Sequence, residues 1–230
     1  MTKNSSNKER SSNQIVHHLA KKIMEGGYAT GDHLPPERML AKEFGVGRPT
    51  VREALQQLER EGWISIRKGH PAVVNDYWKQ GNISTLVTII QNQEAVTDQF
   101  IVYLLEIRAA LTPVYIRDVI KLHQAKVVSL LANLEELTDD AKTFATFDWN
   151  LQKGLASLSP NPVYLLILNS FNTFYLDMAQ LYFSVKEHRK FTFQYYERLL
   201  NLALKGDFEN AKNLVKETME KSIELWRNRK

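Results

Sequence analysis

The sequence has no cysteine. That excludes disulfides and thiolate metal sites, and it suits a reducing compartment. It also lacks any run approaching the ~20 continuous apolar residues of a simple membrane span. Its first residues, MTKNSSNKERSSNQ, are polar and hold no apolar core of a secretory signal, so the chain is expected in the cytoplasm. A strong excess of one charge is missing as well. The net charge is +4, with residues 1–78 holding 12 Lys and Arg against 9 Asp and Glu and the remainder 18 against 17. So small a bias does not announce a nucleic-acid partner, and motifs must carry that case. Enzymatic signatures are absent too: there is no nucleophile–base pair, no phosphate-binding glycine loop and no setting for a cofactor lysine. The pairs Glu135-Glu136 and Asp139-Asp140 read as solvated helix and turn positions. No enzyme is expected.

What is present is organised in two parts. Residues 1–12 are rich in Ser, Asn and Lys and read as a disordered tail. From about Asn13, the residues Ile15, Val16, Leu19, Ile23 and Met24 share one helix face, which stops at Gly26-Gly27. Pro36 suits the opening of a second helix over Glu37–Phe44. Gly45-Val46-Gly47 makes a tight turn, and a third helix follows from Arg48 to Glu61-Gly62. Residues Trp63 to Arg67 alternate like a strand, Lys68 to Pro71 turn, and Ala72 to Val74 can return as the partner. Helix, turn, helix and hairpin predict a winged helix-turn-helix over 13–76. Residues 77–96 read as a linker that Tyr77 and Trp78 can pin to either side. Residues 97–230 predict an all-α bundle of six to seven helices, so the fold class is mainly α. Its expected later helices are Gln124–Thr138, Asp140–Leu158, Val163–Phe183, Glu187–Lys205 and Phe208–Arg229, the last capped by Asp207.

A recognition helix enters the major groove with its N-terminal turn. Here that turn presents Arg48, Thr50 and Arg52, and arginine is the side chain best suited to pair with guanine through two bonds. Arg38 on the preceding helix is placed to reach the same groove or its backbone. Lys68, Gly69 and His70 form a wing tip; the glycine allows close backbone approach and the lysine can meet phosphate. One surface arginine would be unremarkable. Two arginines with a basic wing about twenty residues on favour double-stranded DNA as the partner.

The run from Leu34 to Gly62 carries P-x-E-R, G-V-x-R-x-T-V-R-E-A-L and L-x-x-x-G, and it resembles the GntR family of bacterial regulators. The resemblance implies DNA contacts at Arg38, Arg48, Thr50, Arg52, Lys68 and Gly69. Gly47 and Pro49 stand where the family usually has Ser or Thr; both suit a helix start, so the fold is expected to survive with fewer phosphate contacts.

The resemblance extends through Gly62-Trp63, Val74 to Trp78, Phe147 to Asn150, Asn161 to Tyr164, Leu166 to Asn169, and Ser222 with Trp226. These residues are similar to a fatty-acid-responsive branch of the family. It implies a homodimer on a near-palindromic operator that binds long-chain acyl-CoA in the helical domain and then leaves DNA. Ligand contacts then fall on Arg108, Tyr175, Tyr182, Tyr196, Ser222 and Trp226. Core packing also accounts for the stripe Leu168, Phe171, Tyr175, Met178 and Tyr182. A second stripe of Asn169, Thr173, Asp177 and Gln180 needs solvent, a partner or a cavity. Arg108, on an inward face, needs either a carboxylate such as Asp148 or the ligand's CoA portion. Met219 replaces a glycine of that branch, and the sequence ends at Lys230, earlier than usual there; both bear on pocket size.

Other branches hold a metal through an Asp and three His and sense organic acids, which is the alternative effector class. Asp148 matches, but Gln152, Tyr196 and Thr218 occupy the His positions, and the six histidines fall elsewhere. No metal and no cofactor are expected.

Overall fold

The computed structural model describes residues 2–92 and 97–228. Backbone contacts divide the chain into a unit over 1–96 and a unit over 97–230.

The first unit is built on α1 (Thr2–Met24), α2 (Glu37–Glu43) and α3 (Arg48–Arg60), followed by β1 (Ile64–Ser65) and β2 (Val73–Val74). Its core joins Ile15, Leu19 and Ile23 of α1 to Leu40, Val51, Leu55 and Leu58, with Trp63 and Val74 beneath the hairpin. The helix begins at Thr2, eleven residues before the expected Asn13 start. No glycine or proline interrupts the stretch before Gly26, and an amphipathic helix already nucleated propagates one hydrogen bond per residue into such a polar lead.

The hairpin pairs Ile64 with Val74 and Ser65 with Val73. It is shorter than the alternation over Trp63 to Arg67 implied, because the next groups are engaged elsewhere. The Ile66 N–H donates to the Glu59 side chain at 3.0 Å, and the Ala72 carbonyl accepts from Leu34 N–H at 2.8 Å. Gly31 N–H also donates to Val74 O at 2.8 Å, tying the loop before α2 to β2.

Residues 77–92, expected as linker, form α4 (Tyr77–Gln80) and α5 (Ile83–Gln91) within this first unit. Six β-branched residues out of nine, weak helix formers, disguised α5, whose Thr85, Thr88, Ile89 and Ile90 are buried. Thr85 Oγ1 donates to the Glu61 carbonyl, and Thr88 Oγ1 to the Glu61 carboxylate at 2.7 Å. The same carboxylate accepts from Trp63 Nε1 at 3.1 Å. Tyr77 packs on Trp63 with ring centres 4.7 Å apart, which settles the side to which it pins this segment. Residues 93–96, the remainder of the expected linker, lie outside the described residues.

Gly62 is where this docking is most demanding. It ends α3 at φ +82°, and a Cβ there would sit 2.2 Å from the Gln80 carbonyl oxygen. Left-handed backbone alone costs a side chain ~1–2 kcal/mol, and the Gln80 backbone would also have to move. Gly62→Ala is therefore expected to lower the melting temperature of the first unit by several degrees. An unchanged melt would show that α4 is not held against Gly62 in solution.

The second unit contains α6 (Asp98–Leu131), α7 (Ala141–Ser157), α8 (Val163–Asn169), α9 (Asn172–Phe183), α10 (Lys186–Lys205) and α11 (Phe208–Arg227). Thr97, Asp140 and Asp207 cap α6, α7 and α11 by accepting backbone N–H bonds. Hydrogen bonds from Thr138 and Thr143 hold the Asp140 carboxyl down at about 2. The helix expected from Gln124 is the second half of α6, set off by non-helical backbone at His123. Gln124 Nε2 there donates to the Ala203 carbonyl at 2.8 Å.

The expected central helix over Val163–Phe183 is instead two helices. Ser170 Oγ returns to the Leu166 carbonyl at 3.2 Å, and Asn172 Oδ1 accepts from Trp149 Nε1 at 2.9 Å. Short polar side chains that bond locally compete with helix continuation, and that is where the chain turns. Nor is α8 central: none of its residues is buried, and Leu166 is 64% exposed. The central element is α6, packed against α7, α10 and α11. By length and composition alone α6 could cross a membrane, although it holds no uninterrupted apolar run approaching ~20 residues. Tyr115, Ile116, Val119 and Ile120 on it are buried in the bundle core.

Candidate DNA interface and effector cavity

In the first unit, Gly47 precedes α3 in extended conformation and Pro49 lies in its first turn, so the two departures from the usual hydroxyls leave the helix start intact. Arg48 projects into solvent and makes no hydrogen bond or ion pair among the described residues. Arg38 is also exposed. Arg52 is exposed but engaged: Nε donates to Glu37 Oε1 at 3.0 Å and Nη2 to Oε2 at 2.8 Å. These bonds hold the Glu37 carboxyl below the usual carboxylate range.

Thr50 differs from expectation. It is only 7% exposed, because it shares the inward face with Ala54 and Leu58 at helical spacing. At the wing, Lys68, Gly69 and His70 are all exposed, as is Arg67, which the sequence reading passed over. His70 N–H donates to the Arg67 carbonyl at 3.0 Å, and Gly69 takes φ +82° with nothing within 4 Å of a would-be Cβ. That is the position of a type II turn that favours glycine. A groove lined by Pro36, Glu37, Arg52, Gln56, Gly69 and His70 joins α3 to the wing. Of the seven expected DNA residues, Arg52, Gly69 and His70 line this groove; Arg38, Arg48 and Lys68 are exposed outside its lining, and Thr50 is buried.

In the second unit, α6, α8, α9, α10 and α11 enclose a mainly apolar cavity of about 140 Å³. Of the expected ligand residues, Arg108, Tyr175, Tyr182, Ser222 and Trp226 line it. The apolar stripe Leu168, Phe171, Tyr175, Met178 and Tyr182 lines it entire, and so does Met219. Tyr196 lies behind the wall: it is fully buried, and its hydroxyl donates to Asp148 Oδ1 at 2.8 Å. In the polar stripe Asn169 and Asp177 face solvent.

Asp148 is the electrostatic centre. Arg108 Nη2 donates to its Oδ2 at 3.1 Å, and the Tyr175 hydroxyl donates to the same oxygen. The ion pair named as one alternative for Arg108 is therefore formed. Burial works against the guanidinium charge, but the Asp148 carboxylate outweighs it and raises the Arg108 pKa. Burial likewise raises Tyr175 and Tyr196, which stay neutral donors. Arg108 Nε, the Tyr195 hydroxyl and Gln152 Nε2 are buried polar atoms without a hydrogen-bond partner among the described residues. Tyr195, Tyr115 and Tyr164 are wall residues that the sequence reading did not assign to the ligand; they sit on three different helices, and no spacing links them.

A metal does not fit the matched positions. Both Asp148 oxygens are already bonded, Gln152 Oε1 accepts from Tyr115 at 3.0 Å, and Thr218 bonds the Leu214 carbonyl at 2.8 Å. Among the described residues, no three His, Cys, Asp or Glu side chains come together as a metal set.

A winged helix-turn-helix with cationic first turn and wing, followed by a separate helical unit, defines a DNA-binding transcription regulator. Residues 11–74 match the gntR family of bacterial regulatory proteins, and residues 75–230 match the FadR C-terminal domain. The chain belongs to the GntR family and carries a FadR-type C-terminal domain. It is similar to the fatty acid metabolism regulator protein of Shewanella halifaxensis, with 34% identity covering 92% of this chain and 88% of that protein. Identity to the Cronobacter sakazakii protein of the same name is 33%, covering 91% and 87%. Among solved structures it shares the fold of Lar, which controls the expression of the Listeria monocytogenes agr system. That match has a TM-score of 0.58 at 20% identity and covers 95% of this chain and 97% of that one.

Proposed function

We propose that the protein is a cytoplasmic, homodimeric regulator of fatty acid metabolism that leaves its operator on binding long-chain acyl-CoA. The observation that carries this reading is the cavity, mainly apolar and lined also by the Arg108–Asp148 pair and by Tyr195, whose hydroxyl has no partner among the described residues. An apolar chain fits the walls, and a polar group fits Arg108 Nε and the Tyr195 hydroxyl.

The size supports a switch. About 140 Å³ holds on the order of ten waters, less than a long acyl chain needs. A long chain that widened the cavity would bind a different arrangement from the unliganded one. Such differential affinity is what lets a ligand shift an equilibrium; tight binding to both arrangements would shift nothing.

Titrating acyl-CoAs of increasing length against a fluorescent operator complex tests the reading. Long chains should dissociate the complex, while free fatty acid or CoA alone should act weakly. Protein treated with chelator and dialysed should respond in the same way. A complex indifferent to every chain length, in a protein that calorimetry shows binds none, would remove the acyl-CoA reading. A response lost with chelator and restored by zinc or manganese would put an organic-acid effector in its place.

A further inference from the structure

The two arginines of the recognition helix are held differently. Arg48 is exposed and makes no hydrogen bond or ion pair among the described residues, although its charge helps lower the Glu37 carboxyl's pKa. Arg52 is forked onto Glu37, the first residue of α2, through Nε and Nη2. Those two donors form one long side of the guanidinium. The end of the group, Nη1 and the outer N–H of Nη2, carries no bond among the described residues. Two parallel bonds from that end suit guanine O6 and N7. The Arg52 side chain is 62% exposed and Glu37 33%, so DNA can reach the free end without breaking the fork.

Two consequences follow from the charges. A long side chain already fixed loses less rotamer freedom when it binds a base. The carboxylate beside it also cancels much of its attraction for phosphate, the contact that ignores sequence. We propose that Glu37 is a positioning residue that makes Arg52 discriminate: it holds the guanidinium end-on for one guanine and suppresses its use as a general phosphate contact. This rests on the reading of α3 as the helix that meets base edges.

The test uses the full-length protein and a duplex selected from a randomised pool by the wild type, together with its single-base-pair variants and a scrambled duplex. Glu37→Ala should bind the scrambled duplex more tightly, with a salt dependence steeper by about one phosphate contact per reader. Its preference for guanine at one base pair of each half-site should fall roughly tenfold. Glu37→Gln, which keeps the shape and one acceptor, should fall between, and it serves if Glu37→Ala melts early. Combining Glu37→Ala with Arg52→Ala should add nothing to the loss of preference caused by Arg52→Ala. An equal loss of affinity for all duplexes at unchanged salt slope would show a merely structural role and overturn the proposal. So would unchanged preference in Glu37→Ala where Arg52→Ala loses it. If Arg52→Ala itself keeps the preference, the base-reading assignment of α3 fails instead.

Discussion

Arg48→Ala is expected to abolish selective operator binding while leaving the melting curve unchanged. The side chain is exposed and makes no hydrogen bond or ion pair among the described residues, and its influence on Glu37 is a weak, solvent-screened one, so its removal costs the fold little. An exposed substitution of that kind changes stability by about 0.5 kcal/mol or less. Its cost is instead borne by the complex. A bidentate arginine–guanine pair is worth ~1–3 kcal/mol of discrimination, and in a homodimer the loss counts twice, once in each half-site. In the proposed homodimer selectivity should therefore drop by roughly 1.5 to 4 orders of magnitude. Lys68→Ala, on the wing, should weaken all duplexes alike and flatten the salt dependence by about one contact. Retained sequence preference in Arg48→Ala, measured by competition at fixed salt, would mean that the first turn of α3 is not the reading edge.

Asp148→Ala should be among the most destabilising single changes in the helical unit. It would leave Arg108 charged and largely enclosed, with the Tyr175 and Tyr196 hydroxyls losing their acceptor. Breaking a buried ion pair from one side costs ~3–5 kcal/mol. Replacing both partners should recover much of that: Asp148→Leu with Arg108→Met removes the charge and its need together. Denaturant unfolding of the single and double variants forms a cycle whose coupling energy reports the pair directly. Near-wild-type stability in Asp148→Ala would show that Arg108 escapes to water through the cavity. The double variant also separates the two readings of Arg108. If it is stable yet weak toward acyl-CoA, the arginine serves the ligand as well as the fold.

The sequence determined the winged helix almost completely. Ile15, Leu19, Val51, Leu55 and Leu58 repeat at helical spacing, the glycines at 45, 62 and 69 fall where backbone must take positive φ, and Arg48 lies outside the apolar stripe. These are local features, settled within a few residues of chain. The apolar stripe from Leu168 to Tyr182 was legible in the same way, and it lines the cavity. What only the tertiary structure decided involves partners far apart in the chain. Thr50 is buried because α3 packs against α1, and Tyr196 is withdrawn from the cavity because Asp148, 48 residues away, accepts its hydroxyl. Tyr77 is fixed on Trp63, and Thr88 of an apparent linker is bound to Glu61. Arg52 was visible as a cation, but not as a cation already held by Glu37. Helical periodicity says which face of a helix is apolar; only packing says what that face meets, and which buried polar group finds its counter-charge there.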